Sequence, residues 1–162
     1  MNGKTFSSGD LLEYLRRTDP RFDRTRLEGW YRNDVFSVVN KNAGGQRRFG
    51  LIDLVAARVA LQTMSLSGAF ITREVIRSIR GGELNDQLLV MTTQDEYDSF
   101  SLYWLPKESV KEIAALVEEE TGRGNTVVVV PIASYFAQAR AFIQDLENRN
   151  PGRNESELLT VK

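Results

Sequence analysis

Arginine matches phosphate oxygens and the edge of guanine well, because its planar guanidinium donates two parallel hydrogen bonds. Two groups of polar and charged residues built around such arginines lie close together early in this chain. The first is Arg24, Thr25, Arg26, Glu28 and Arg32. On a helix these residues lie on or near the face opposite Leu27, Trp30 and Tyr31. An α-helix fits the major groove of a duplex, so this face is a candidate reader of base edges. Gly29 removes bulk where such a helix would approach DNA. The second group is Lys41, Asn42, Arg47 and Arg48, set around Gly44-Gly45. At a hairpin tip these residues could lie along phosphates or enter a narrow minor groove.

Other chemistry has less to work with. The chain has no Cys and no His. Disulfides, thiolate nucleophiles and Cys/His zinc sites are therefore excluded, and the usual proton-transfer side chain is missing. We expect no catalytic residues, no metal site, no cofactor and no enzyme activity. Gly122-Arg123-Gly124-Asn125 follows a helix pattern and enters a strand, the reverse of a phosphate loop, so it reads as a turn. Glu118, Glu119 and Glu120 point different ways on a helix and read as a solvated end. Asp95, Glu96 and Asp98 read as a charged loop.

Charge divides the chain. Residues 1–80 carry 14 Lys and Arg against 8 Asp and Glu, a net +6; residues 81–162 carry 7 against 14, a net −7. A basic half joined to an acidic half suggests a polyanion-binding part and a part with another task. No apolar run is long enough to span a bilayer, and no signal core follows the N-terminus, so the expected location is cytoplasmic and nucleoid-associated.

The elements that must position these residues follow from pattern. Ser8 predicts a cap for a helix through Leu11, Leu12 and Leu15, broken by Thr18, Asp19 and Pro20. Asp23 predicts the cap of a second helix. Residues 35–39 read as a strand, 40–45 as a turn and 46–49 as the returning strand. A third helix is expected over 51–64 with Leu54, Leu61 and Met64 on one face, ended by 65–68. Thr72 is expected to cap a short fourth helix with Ile76 and Ile79. Beyond Gly81-Gly82, strands are expected at 88–91, 100–104 and 127–130. A helix is expected to begin at Pro106, with Val110, Ile113, Ala114 and Val117 on one face. A last helix is expected over 134–147.

The stretch from Phe6 to Ile79 resembles the MerR winged-helix domain. Phe22, Asp23, Leu27 and Trp30 stand at the spacings with which that family opens its recognition helix. Gly45, Gln46, Arg47, Arg48, Phe49, Asp53 and Leu54 match the end of its wing and the start of the next helix, and Gly68 matches the Gly after that helix. The resemblance covers about half the chain. It departs in a longer first turn holding Pro20 and in an α/β segment where the family's dimerisation helix would follow. It also departs at Glu28, where the family has Arg, so that a phosphate contact is lost or a cytosine amino group is read instead.

The expected fold is α+β: a winged helix-turn-helix domain (1–81), a small α/β dimerisation or regulatory domain (82–148) with a C-terminal helix, and a disordered tail (149–162). The resemblance implies a sequence-specific transcriptional regulator that binds double-stranded DNA as a homodimer, with RNA polymerase or a regulatory protein as a further partner and no membrane. An excisionase-like or architectural DNA-bending protein, and a protein-interaction adaptor without DNA, are the alternatives. The last helix carries Tyr135, Ala139, Phe142 and Leu146 on one face and Phe136 and Ile143 beside it. One small sheet covers one such face, so these six residues are expected at the dimer interface.

Overall fold

The computed structural model describes residues 5–36, 40–41, 44–81, 87–94, 99–106 and 108–149; for 40, 41, 65–67, 87, 94 and 99 it describes the backbone alone. The fold is α+β. Among the described residues, five helical elements accompany a two-stranded hairpin and a three-stranded antiparallel sheet.

The cap of helix α1 (Ser8–Arg16) lies one residue earlier than expected. Ser7 is the N-cap, and its hydroxyl and backbone N–H are both tied to Asp10 in a capping box. Helix α2 (Arg24–Arg32) is capped by Asp23, as the sequence predicts, through the N–H of Arg26 at 2.8 Å. The hairpin pairs β1 (Asn40–Lys41) with β2 (Arg47–Arg48), register Asn40 with Arg48. Val35 and Phe36, expected to begin a strand, are buried in a bend instead. Residues 37–39 lie outside the described residues. A strand contact missed in the sequence is Phe6 with Phe49, which exchange backbone hydrogen bonds of 2.8 and 2.9 Å and extend the hairpin by one bridge.

Helix α3 (Leu51–Gly81) joins what the sequence predicts as two helices. Gly68, at φ 74° and ψ −176°, kinks it. Thr72 is no N-cap: it is fully buried, and its hydroxyl donates to the carbonyl of Gly68 at 2.7 Å. A hydroxyl bonding four residues back along its own helix is a familiar alternative to capping.

In the second half, β3 (Gln87–Gln94) lies between β4 (Ser99–Pro106) and β5 (Thr126–Val130), antiparallel to both. The outer strands are thus parallel, and α4 (Val110–Gly122) carries the chain between them. Helix α4 begins four residues after Pro106, with Ser109 as N-cap. Its expected apolar face is not a buried one: Val110 is 66% exposed and Ala114 is exposed, while Ile113 and Val117 are half-buried. Along the sheet, the alternation puts Leu89, Met91, Leu102, Trp104, Val128 and Val130 on one face, and all of these join the main core.

The last helix, α5 (Ile132–Arg149), closes the molecule over the first half. It packs against α3, and its Phe142 ring meets Tyr14 of α1 at 5.2 Å between centroids. Arg17 lies over Phe142 and pairs with Asp145, and Arg149 pairs with Glu13 at 2.7 Å. One hydrophobic cluster therefore runs from Phe6 through α1, α2, α3 and the sheet to Leu146. The expected boundary at Gly81-Gly82 coincides with the end of α3; Gly82 and residues 150–162 of the expected tail are outside the described residues.

This packing corrects the expectation of an outward-facing aromatic stripe. Tyr135, Phe136, Ala139, Phe142 and Leu146 are buried within the chain, and Ile143 is half-buried. The expectation counted the second half's own sheet as the one available cover. Helices α1 and α3 of the first half supply the second covering layer.

Candidate nucleic-acid interface

Nine residues make up α2, and Leu27 and Trp30 are its buried anchors. Trp30 meets Phe22 edge-on at 4.9 Å, which fixes the helix against the end of the turn before it. The opposite face carries Thr25, Gly29 and Arg32, flanked by Arg24 and Glu28. Arg24, Thr25 and Arg32 are exposed, and nothing lies within 4 Å of where a Cβ on Gly29 would stand.

A side chain of the hairpin reaches this helix. Arg47 of β2 donates to both carboxylate oxygens of Glu28 at 3.0 Å. Its guanidinium also lies 4.0 Å from the centroid of the Tyr31 ring, which in turn stacks on Phe49 at 6.4 Å. A charged pair and a cation–π contact thus hold the hairpin beside the exposed face of α2. Gly45, at φ 73°, supplies the left-handed conformation that turns the hairpin back.

The candidate residues divide accordingly. Arg24, Thr25 and Arg32 present free surface. Arg26 folds back, donating to Asp19 at 2.7 Å and covering the Phe22 ring. Glu28 and Arg47 neutralise each other, which accounts for an acidic residue at this point of the helix without a base contact. Arg48 is half-buried and engaged within the protein. Asn42 and the side chain of Lys41 lie outside the described residues.

The C-terminal end of α2 is tied down from α3. Arg73 donates to the carbonyls of Asp34 and Asn33 at 3.0 and 3.1 Å. Asp53 accepts from the N–H of Gly50 at 2.8 Å, opening α3, and pairs with Arg80 at 2.8 Å from the far end of the same kinked element. This pair is nearly buried, and Arg80 also covers the Phe36 ring. Asp53 stood out in the sequence as part of a motif; Arg73 and Arg80 did not, because partners 39 and 27 residues apart leave no local pattern.

Burial pushes the hydroxyls of Tyr14 and Tyr31 up to about 12, so both stay protonated. Arg26 holds the Asp19 carboxyl below its usual value. Among the described residues, no three acidic side chains converge as a cation site, and no helix is long and apolar enough to cross a membrane.

The chain matches no family model and no curated protein.

Proposed function

We propose that this protein is a sequence-specific DNA-binding transcriptional regulator, with a MerR-like winged helix-turn-helix in its first half. The observation that carries the reading is the fastening of the β1–β2 hairpin to α2 by Arg47. A helix with exposed Arg24, Thr25 and Arg32 stands beside a basic wing held in a fixed relation to it. In this reading α2 enters the major groove, Arg24 and Arg32 meet base edges or flanking phosphates, and the wing lies on the backbone. The net +6 of residues 1–80 supplies the long-range attraction. Two modules on an inverted repeat, in the cytoplasm and at the nucleoid, complete the proposal. The α5 face is engaged within the chain, so pairing uses another surface. No catalytic role is proposed.

The test is binding of the full chain to duplex DNA selected from a random pool, followed across salt. Each neutralised phosphate contributes a slope of about −0.9 in log affinity against log salt. Binding that ignores salt, or no enrichment of any sequence, overturns the reading.

One observation favours the adaptor alternative. Arg26 and Arg47 direct their charges to Asp19 and Glu28 rather than outward. A protein-interaction surface on the same fold predicts no salt-dependent DNA binding, so the same experiment separates the two.

A further inference from the structure

Below the turn joining α1 to α2 is an open cleft of about 580 Å³, walled by that turn, α2, α3 and α5. It brings together residues from four separate parts of the chain: Asp19, Arg26, Arg58, Leu61, Gln62 and Tyr135. The guanidinium of Arg58 lies 4.7 Å from the centroid of the Tyr135 ring. Its Nε is buried and makes no hydrogen bond in the protein, and among the described residues no carboxylate pairs with it. Opposite, Arg26 is paired with Asp19. The Tyr135 hydroxyl donates to Gln62, fixing the ring.

We infer that this cleft is a binding site for a small organic monoanion, a carboxylate on an apolar body. Two guanidinium groups against one carboxylate leave a single positive charge, which matches a monoanion rather than a phosphate dianion. The Arg58 guanidinium lines the cleft without a carboxylate partner among the described residues, and a carboxylate in the cleft gives it one. Leu61, with Tyr135 beside it in the lining, supplies the apolar contact that an aliphatic or aromatic body needs. None of this depends on nucleic acid. Because Arg26 rises from the first turn of α2, occupancy bears on the helix proposed to read DNA; that consequence rests on the reading above, whereas the site itself does not.

The experiment is ligand-observed NMR titration of the full chain, without DNA, using benzoate, phenylacetate and hexanoate as probes. Benzamide is the neutral control, and inorganic phosphate, used at mildly alkaline pH where it is mostly HPO₄²⁻, the dianionic one. The expected result is saturable binding of at least one acid, no saturable binding of benzamide, and poor competition by phosphate. Arg58→Gln weakens binding at least about tenfold, the scale of a charge-assisted hydrogen bond lost. Asp19→Asn, an exposed change that releases Arg26, tightens it several-fold. The inference is overturned if no acid binds, or if benzamide matches benzoate. It is also overturned if phosphate competes equally, or if Asp19→Asn leaves binding unchanged or weaker. Unchanged binding in a folded Arg58→Gln variant overturns it too. Since Asp19→Asn reads the site independently, a failure of Arg58→Gln to fold does not remove the test. A positive result here with no DNA binding elsewhere leaves this site standing and removes the DNA reading alone.

Discussion

Arg47 on the hairpin and Glu28 on α2 meet with both carboxylate oxygens 3.0 Å from one guanidinium nitrogen, over the ring of Tyr31. The two substitutions that break this contact should differ. Arg47→Ala removes the ion pair and the cation–π contact together and should cost about 1 kcal/mol in urea denaturation, given the partial exposure of both groups. Glu28→Ala leaves Arg47 on Tyr31 and should cost about half as much or less. On DNA the signs separate. Glu28→Ala frees a cation at the wing, so it should strengthen binding and steepen its salt dependence, while Arg47→Ala should weaken binding to all sequences alike. Equal losses of DNA affinity in both variants would mean that the pair acts only as a structural clasp.

Gly68 marks the break between the two segments of α3. Its φ of 74° with ψ of −176° is a combination that side-chain-bearing residues essentially never adopt, yet no atom lies within 4 Å of a built Cβ. The cost of Gly68→Ala is therefore backbone strain alone, about 1–3 kcal/mol. Gly122→Ala in the last turn of α4 has the same open surroundings without positive φ, and should be neutral or slightly stabilising. Comparing the two in denaturant isolates the strain. A Gly68→Ala variant as stable as the wild type would show that the chain runs straight through this point.

Phe142 distinguishes the observed packing from the interface expected from sequence. It is fully buried against Tyr14 and covered by Arg17. Phe142→Ala should destabilise the folded chain by about 3–5 kcal/mol. Phe142→Asp should abolish cooperative folding, because it buries an unpaired carboxylate. An interface role predicts instead a folded monomer. Circular dichroism melts combined with sedimentation decide between them: a well-folded monomeric Phe142→Asp protein would reject the intramolecular packing.

The sequence made the local features legible. The Asp23 cap, the anchors Leu27 and Trp30, the three strands of the second half and the helix-strand order were all visible, because capping, period and β-branched runs act over a few residues. The antiparallel placement of β3 between β4 and β5 was not, since strand order depends on long-range closure. Contacts between the halves were likewise hidden. The sequence marks Tyr135, Phe136 and Phe142 as apolar on two sides of a helix, but apolarity names no partner. Tyr14, Arg58 and Gln62, which receive Phe142 and Tyr135, lie more than 70 residues earlier. Misreading the partner turned a core helix into an expected interface. The candidate DNA face was legible as composition, while the division into free Arg24 and Arg32 and internally paired Arg26 and Arg47 required the placement of Asp19 and Glu28.

The clasp between the first and last helices should be acid-sensitive. The Arg17 guanidinium donates to Asp145 and holds its carboxyl below the ordinary value of 3.8, with Arg149 adding to the effect. A carboxylate with a depressed value in the folded state contributes stability that is present in full above 3.8 and is lost as pH falls through the lowered value. Asp145→Asn, which resembles the protonated form, should therefore lower the urea midpoint at neutral pH. The difference from wild type should shrink as the solution is acidified and vanish once Asp145 is protonated in both states. Asp19, held down by Arg26, titrates in the same direction and contributes to the wild-type decline, so the informative quantity is the difference between the two proteins and not either curve alone. Urea midpoints of both, measured from neutral pH to well below 3.8, provide the check. A difference that stays constant across that range would show that Asp145 acts through shape or solvation and that the Arg17 pair contributes nothing electrostatic to joining α5 to α1.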